Sequence, residues 1–224
     1  MYPVTYEADY LRERNRWSTF FRLIVAIPWL IVQYVYSIAQ LVIVVVAWFA
    51  ILILGRFPDG MYNFVGGVLR FNMRVNGFVY LQTDAWPPFG IGEDPGYPIR
   101  VNFYPPAGRQ SRVKTLFRII LLIPIAVLSY AMSFALMGVT LISWLTIVFR
   151  GYQPAAIHNA LAYLMGWSTR TSAYAALMRD EYPPVGDETP VEIDPPAEAL
   201  APGYDPTPID PAPTSEEQPP PPAG

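Results

Sequence analysis

FRLIVAIPWLIVQYVYSIAQLVIVVVAWFAILILG, residues 21–55, decides how the rest of the chain has to be read. From Leu23 to Gly55 there is no charged side chain. FRIILLIPIAVLSYAMSFALMGVTLISWLTIVFRG, residues 117–151, repeats the condition between Arg118 and Arg150. Apolar tracts well beyond about 18 residues are membrane-span candidates, because a helix satisfies its own backbone polar groups where water is absent. The 224-residue chain is 53 % hydrophobic, above the roughly 45–50 % of soluble domains, and the excess is concentrated in these two tracts.

The two tracts are copies. Sliding the chain by 96 residues lays Trp17–Pro88 on Val113–Pro184 without a gap, with roughly a quarter of positions identical, several times chance. The identities include residues that apolar composition cannot supply: Pro28 with Pro124, Trp48 with Trp144, Gly55 with Gly151, Pro58 with Pro154, Asn63 with Asn159, Arg74 with Arg170 and Asp84 with Asp180. Each copy closes on an acid, an aromatic residue and two prolines, TDAWPPF from Thr83 and RDEYPPV from Arg179. Upstream, YPVTYEADY at Tyr2 resembles YPIRVNFYPP at Tyr97; both alternate and are rich in β-branched and aromatic residues, so both read as short strands outside the membrane. The chain divides into a first membrane repeat (1–89), a turn-rich linker GIGEDPG (90–96), a second repeat (97–184) and a tail (185–224).

Trp17–Leu54 is 38 residues, about 57 Å as one helix against a hydrocarbon core of about 30 Å. Two spans of about 19 residues fit, and Gln33, Tyr34, Tyr36, Ser37 and Gln40 (Ser129, Tyr130 and Ser133 in the second copy) cluster where a hairpin would turn. A single long tilted helix per unit is the alternative, since no Gly or Pro marks the first turn. Arg12, Arg14, Arg16 and Arg22 precede the first tract and Arg56 follows it; Arg109, Arg112, Lys114 and Arg118 precede the second and Arg150 follows. Positive flanks at both ends suit a hairpin whose ends face the cytoplasm, giving a multi-pass inner-membrane protein with both termini cytoplasmic. After each hairpin, the stretches from Pro58 and Pro154 read as amphipathic helices lying in the interface, with Arg reaching phosphate headgroups. The fold class expected is mainly α and integral to the membrane: a tandem repeat of short strand, transmembrane helical hairpin and interfacial amphipathic helix, followed by a disordered tail.

Charge is divided along the chain. Nine of the 18 acidic residues and none of the 15 basic ones follow Val185, so the part before it carries a net +6 although the whole is -3. The acidic, proline-rich tail reads as a solvated spacer, with docking of its PxxP-like stretches to a protein partner as the alternative. Cysteine is absent, which removes disulfides, thiolate nucleophiles and Cys-ligated metals. Acidic residues among the first twenty, and a following tract longer than an h-region, argue against a cleavable signal peptide.

The candidate contacts to a lipid headgroup or a partner are Arg22, Arg70, Arg74, Asp84, Arg118, Arg170 and Asp180. Arg22 and Arg118 enter an apolar helix, where an ionisable residue either snorkels to the headgroups or needs a partner, Asp84 and Asp180 being the ones to name. Asn63, Arg74 and Asp84, with Asn159, Arg170 and Asp180, form the polar trio repeated after the tracts, read either as a headgroup-binding set or as caps and turn formers. His158, the sole histidine, faces Tyr62 in the alignment and is expected at the interface. No catalytic or metal-binding motif is present. No catalytic residue, metal or cofactor and no nucleic-acid partner is expected.

FRLIVAIPWLIV and AWFAILILGRFPDGMYNFVGGVLRFNMRVNGFVYLQTDAWPPF resemble a bacterial membrane family catalogued as a domain of unknown function, four-three-eight-nine, common in actinobacteria. The resemblance covers residues 2 to 184, twice over, and excludes the tail. Arg56, Phe57 and Phe89 become Tyr152, Gln153 and Val185 in the second copy, so a site built on them is confined to the first. Members are sometimes labelled lipases, a label no serine-hydrolase motif here supports. The expectation is a non-enzymatic membrane scaffold that binds lipid, anionic headgroups included, or a partner, open to homo-oligomerisation. A small transporter or channel component is the alternative, and a lipid-modifying enzyme stands last.

Overall fold

The computed structural model describes residues 2–104 and 108–186, so the tail expected from 185 onward lies almost wholly outside the described residues. The elements are β1 (Val4–Ala8), α1 (Arg16–Val25), α2 (Ile27–Leu54), α3 (Asp59–Val79), β2 (Ile99–Phe103), α4 (Arg112–Leu116), α5 (Arg118–Arg150) and α6 (Ala155–Ala175). They stack as three layers: the strands, then α3 and α6, then α2 and α5. α3 packs on β2 and α2, and α6 on β1 and α5.

Both expected strands form, and they pair with each other, antiparallel, from Val4 opposite Phe103 to Ala8 opposite Ile99. Alternation sorts their faces. Val4, Tyr6, Ile99, Val101 and Phe103 are buried, while Arg100 on the outer face pairs with Asp9 at 2.6 Å and Glu7 at 3.5 Å. Glycines bring the sheet down onto the helices: a Cβ at Gly77 would run into the side chain of Ile99, and one at Gly66 would meet Met178 and Phe103.

The middle layer corrects the reading of α3 and α6 as interfacial helices. They begin where expected, after Pro58 and Pro154, but Val65, Val68, Phe71, Val75 and Phe78 of α3 and Leu161, Met165, Trp167 and Tyr174 of α6 are all buried. Each is covered by a long helix on one side and a strand on the other, so neither presents a face to an interface.

The hairpins also give way to a simpler course. α2 runs unbroken through Gln33–Gln40, and α5 runs unbroken through Ser129–Ser133. Nothing in either centre breaks a helix, and Gln33, Ser37 and Gln40, spaced i, i+4 and i+7, lie on one face, turned inward. The first helical stretch is interrupted at Ala26, just before Pro28, and the second at Phe117, ahead of Pro124, which α5 accommodates internally. At about 1.5 Å per residue α2 and α5 are roughly 42 and 50 Å long. α3 returns antiparallel along α2, with the Gln33 amide donating to Asn76 Oδ1 at 3.1 Å.

The units interlock at their ends. α2 and α5 each stop at a glycine in the left-handed region, Gly55 (φ 72) and Gly151 (φ 81), a C-cap that satisfies a terminal carbonyl. The carbonyl of each glycine then accepts from the other unit: Gln110 N donates to Gly55 O at 3.0 Å and Arg14 N to Gly151 O at 3.1 Å. Trp48 Nε1 donates across to Thr115 O at 2.9 Å. The entry of each unit is thus docked at the far end of its sibling's long helix.

The outer layer stays bare. Ile31, Val35, Val42 and Phe49 of α2 and Ile123, Val127, Phe134 and Leu141 of α5 are exposed, and only 11 % of the most apolar stretch of each helix is buried. Both helices are long and apolar enough to cross a membrane.

Candidate functional site

The buried cations come first, because charge at this depth needs an explanation. Arg22 is 2 % exposed. Its guanidinium ion-pairs with Asp84 Oδ1 and donates to Phe78 O at 2.8 Å and Thr83 O at 2.7 Å. It also lies over the Phe78 ring, 4.5 Å from the centroid. Burial lowers its pKa and the Asp84 charge opposes that fall. Asp84 Oδ2 accepts from Asn15 N at 3.0 Å, so one carboxylate ties the start of α1 to the end of α3. The second unit repeats the arrangement: Arg118 donates to Arg179 O at 2.6 Å, pairs with Asp180 at 3.3 Å and lies 4.0 Å from the Tyr174 centroid, while Asp180 Oδ2 accepts from Ser111 N at 2.6 Å.

Of the two readings for these arginines, the named carboxylate partners are the ones present, and snorkelling is excluded by burial. The Asp-aromatic-Pro-Pro ending has its reason in the same geometry. Leu81 and Leu177 take φ 63, turning the chain so that the carboxylate meets the arginine, and Trp86 and Phe89 then pack on Trp29, with ring centroids 5.1 and 4.9 Å away.

Arg70 and Arg74 face the sheet side. Arg70 pairs with Glu93 at 2.8 Å and donates to Val101 O at 3.1 Å; Arg74 donates to Gly92 O at 2.9 Å. With Asp94, Pro95, Arg100 and Asn102 they line a cleft of about 130 Å³. They pin the linker to α3. Arg170 is buried. The repeated trio is not gathered: Asn63 is exposed in the first turn of α3, whereas Arg74 and Asp84 engage different partners near its other end.

Between the units lies a polar knot that only part of the sequence reading anticipated. Gln153, aligned with Phe57, is buried and donates to Ser143 Oγ at 2.7 Å and Leu81 O at 3.0 Å, while accepting from Arg14 at 3.0 Å. His158, expected at an interface, is instead 2 % exposed, with Nε2 3.1 Å from Ala8 O and the Tyr10 ring edge-on at 5.2 Å. Burial, helped by the Arg14 charge, depresses its pKa to about 4 against the opposing pull of Ala8 O and Asp9. No group of three or more His, Asp or Glu placed to share a metal ion occurs among the described residues.

A polar opening lies elsewhere. Gln33, Ser37 and Gln40 of α2, Asn72 and Asn76 of α3, and Ser168 and Ser172 of α6 line a cleft of about 410 Å³, edged by Leu41, Val44 and Leu69. The α2 residues are those expected to mark a hairpin turn; their polarity belongs to this cleft. Asn72/Ser168 and Asn76/Ser172 are pairs of aligned positions that meet where α3 crosses α6. The sequence held a signal for them, two i, i+4 polar pairs at matching places in the repeat, which apolar patterning hid. A second cleft of about 460 Å³ is mainly apolar and lies between α1 and α5, lined by Phe20, Leu23, Val79, Met137, Leu141 and Trp144.

No curated protein and no solved structure matches this chain. A family model described as a domain of unknown function (DUF4389) matches it twice, at residues 16–90 and 112–185, the two segments found here as interlocked copies. The chain belongs to this family and carries its domain in tandem.

Proposed function

We propose that the protein is a non-enzymatic scaffold of the inner membrane that binds lipid or a partner, held by α2 and α5 against the hydrocarbon, with the sheet toward water. The bare apolar outer faces of these two helices carry the reading. Exposed apolar side chains along the whole of two long helices are rare on water-soluble monomers, where large apolar patches mark membrane or partner surfaces. The opposite, sheet face bears Glu7, Asp9 and Arg100, charges that are costly at bilayer depth.

A body with one apolar and one charged face lies on a membrane more readily than through it. In that placement α2 and α5 run along the bilayer plane, and the basic residues at both ends of each helix reach headgroups on one side. The positive flanks that suit a hairpin suit this arrangement equally. Anionic lipid is the expected ligand of the exposed Arg12, Arg16, Arg56, Arg112 and Lys114, and the tail is the expected place for a protein partner.

The cysteine-free chain allows a direct test. Single cysteines replace Arg16 and Arg56, at the two ends of the α1–α2 path, and intact cells and inside-out vesicles are treated with an impermeant thiol reagent. Labelling of both positions from the cytoplasmic side alone supports the in-plane scaffold. Labelling from opposite sides establishes a span and moves the transporter reading ahead. Release of the wild-type protein by alkaline carbonate and failure to float with vesicles would remove the membrane reading altogether.

A further inference from the structure

The polar groups in the cleft between α2, α3 and α6, set among apolar Leu41, Val44, Leu69 and Met73, are all uncharged. The cleft has three primary amides from Gln33, Gln40 and Asn72, a fourth from Asn76, and hydroxyls from Ser37, Ser168 and Ser172; no charged side chain borders it. An amide offers donors and an acceptor, and a hydroxyl offers both. Such a wall matches a ligand that is itself dense in hydroxyls and uncharged. An ionised ligand would leave its charge uncompensated in a site with no counter-ion.

We propose that this cleft is a binding site for an uncharged, hydroxyl-rich group, a sugar or polyol. The inference rests on the membrane reading only for the source of the group, a glycolipid head rather than a free sugar. Asn72 provides the first support: it lines the cleft, and its amide nitrogen has only the long 3.5 Å contact to Ser37 Oγ, so its hydrogen-bonding capacity is little used within the protein. Volume is the second, since about 410 Å³ lies within the range of small-molecule sites and far above the roughly 30 Å³ share of one water.

The third support comes from the chain's own second copy. At the positions of Gln33, Ser37 and Gln40 the second unit has Ser129, Ser133 and Leu136, and at those of Asn72 and Asn76 it has Ser168 and Ser172. The second unit packs α6 on α5 with no amide at any of these positions. Amides are therefore not needed to join a long helix to its neighbour in this fold, and the first unit carries four of them where the cleft is. The cleft also has a way in: its lining comes from α2, α3 and α6 and includes no residue of α5, so the long helix of the second unit does not close it.

The test uses the full chain in phosphatidylcholine vesicles doped with a neutral diglucosyl diacylglycerol, with phosphatidylglycerol, or with neither, followed by native mass spectrometry of the released protein. Free maltose in equilibrium dialysis against detergent-solubilised protein is the parallel arm. Wild type should retain the glycolipid about tenfold over phosphatidylcholine, and Asn72→Leu should abolish the preference, since unpaired buried polar groups discriminate strongly. Ser172→Leu, which narrows the cleft from α6, should do the same if Asn72→Leu fails to fold, and Ser129→Leu, outside the cleft, should change nothing. Maltose binding that shares these sensitivities, without glycolipid retention, assigns the site to a free sugar. Equal retention of all three lipids together with no maltose binding, or binding indifferent to Asn72→Leu and Ser172→Leu, overturns the proposal. Flotation of the same samples separates the two ideas: protein that floats yet binds neither probe removes the site and leaves the membrane reading intact.

Discussion

The two repeats keep one set of residues and discard another, and the division separates scaffold from site. Kept are the arginine entering each helical stretch, its aspartate, the glycine ending the long helix and the leucine at φ 63. These join elements or turn the chain, and both copies need them. Discarded are the amides of Gln33, Gln40, Asn72 and Asn76, which become Ser, Leu, Ser and Ser, and the hydrophobic partner of Gln153, since Phe57 stands in its place. What duplication preserves here is architecture; what it lets diverge is the lining of the cleft and the polar knot.

The largest effect should come from breaking a shared element. Arg22→Ala removes the partner of Asp84, takes the side-chain donor from the Thr83 carbonyl and leaves Phe78 O only its backbone donors. Truncating one member of a buried ion pair costs about 3–5 kcal/mol, read as a loss of thermal stability in detergent. Arg118→Ala, with fewer carbonyls at stake, should fall at the lower end. If either variant melts like wild type, the arginine–aspartate posts do not hold the elements of each unit together.

Next is an asymmetric element, His158, which has Tyr62 as its counterpart. In the folded chain its pKa is about 4, against about 6.5 unfolded. Between those values the unfolded chain binds the proton and the folded one does not, so stability falls as pH drops through this window. The loss approaches about 3 kcal/mol below pH 4, at about 1.4 kcal/mol per pKa unit. His158→Gln, which retains a donor for Ala8 O but does not titrate, should remove this component from the pH dependence of melting. An unchanged profile would mean that His158 titrates in the fold as it does in the unfolded chain, so that burial does not depress it.

The glycine caps test whether the two ends are equivalent. Both Gly55→Ala and Gly151→Ala place a Cβ in the left-handed region, costing about 1–2 kcal/mol. The neighbours differ: the new methyl would stand 3.6 Å from Arg112 Nε at position 55 but 2.8 Å from Arg16 Nε at position 151. Gly151→Ala should therefore be the worse by up to about 1 kcal/mol, Arg16 being exposed and free to shift. Equal melting temperatures would show that Arg16 yields without cost.

Much of this architecture was legible in the sequence. The offset of 96 residues stood out through proline, tryptophan, glycine and aspartate identities, because such residues are set by backbone geometry and not by general hydrophobicity. The strands showed in their alternation, though not their pairing, which joins residues about 95 apart and is a matter of topology. Asp84 could be named as a candidate partner of Arg22, because an ion in an apolar helix needs one, but snorkelling to the headgroups met the same need, and burial at the end of α3 was not visible in the sequence. The hairpin failed because Gln33, Ser37 and Gln40 have two physical explanations, a turn at the headgroups or an inward polar face, and spacing i, i+4, i+7 fits the second. α3 looked interfacial because Asn, Gly and Arg on an apolar helix give an amphipathic pattern. Its glycines mark instead where a strand comes close, and burial on both sides depends on partners distant in the chain.

The smallest expected effect is the most discriminating. Gln40→Leu gives the first unit the residue that the second has at Leu136. If the amides of the cleft serve to join α2 to the middle layer, losing one should cost about 0.5–1.5 kcal/mol, the net worth of an ordinary hydrogen bond. If they are there to be met by a ligand, Gln40 stabilises nothing in the empty protein, and leucine, which is apolar and a good helix former, should leave the melting temperature unchanged or raise it slightly. Both outcomes follow from a single melting curve of the ligand-free protein in detergent. A gain in stability at a position whose polar residue the sibling unit dispenses with is what a functional site shows when stability has been traded for recognition. A clear loss would instead class Gln40 with Arg22 and Asp84, as part of what holds the layers together, and the comparison of the units would then have to be drawn along a different line.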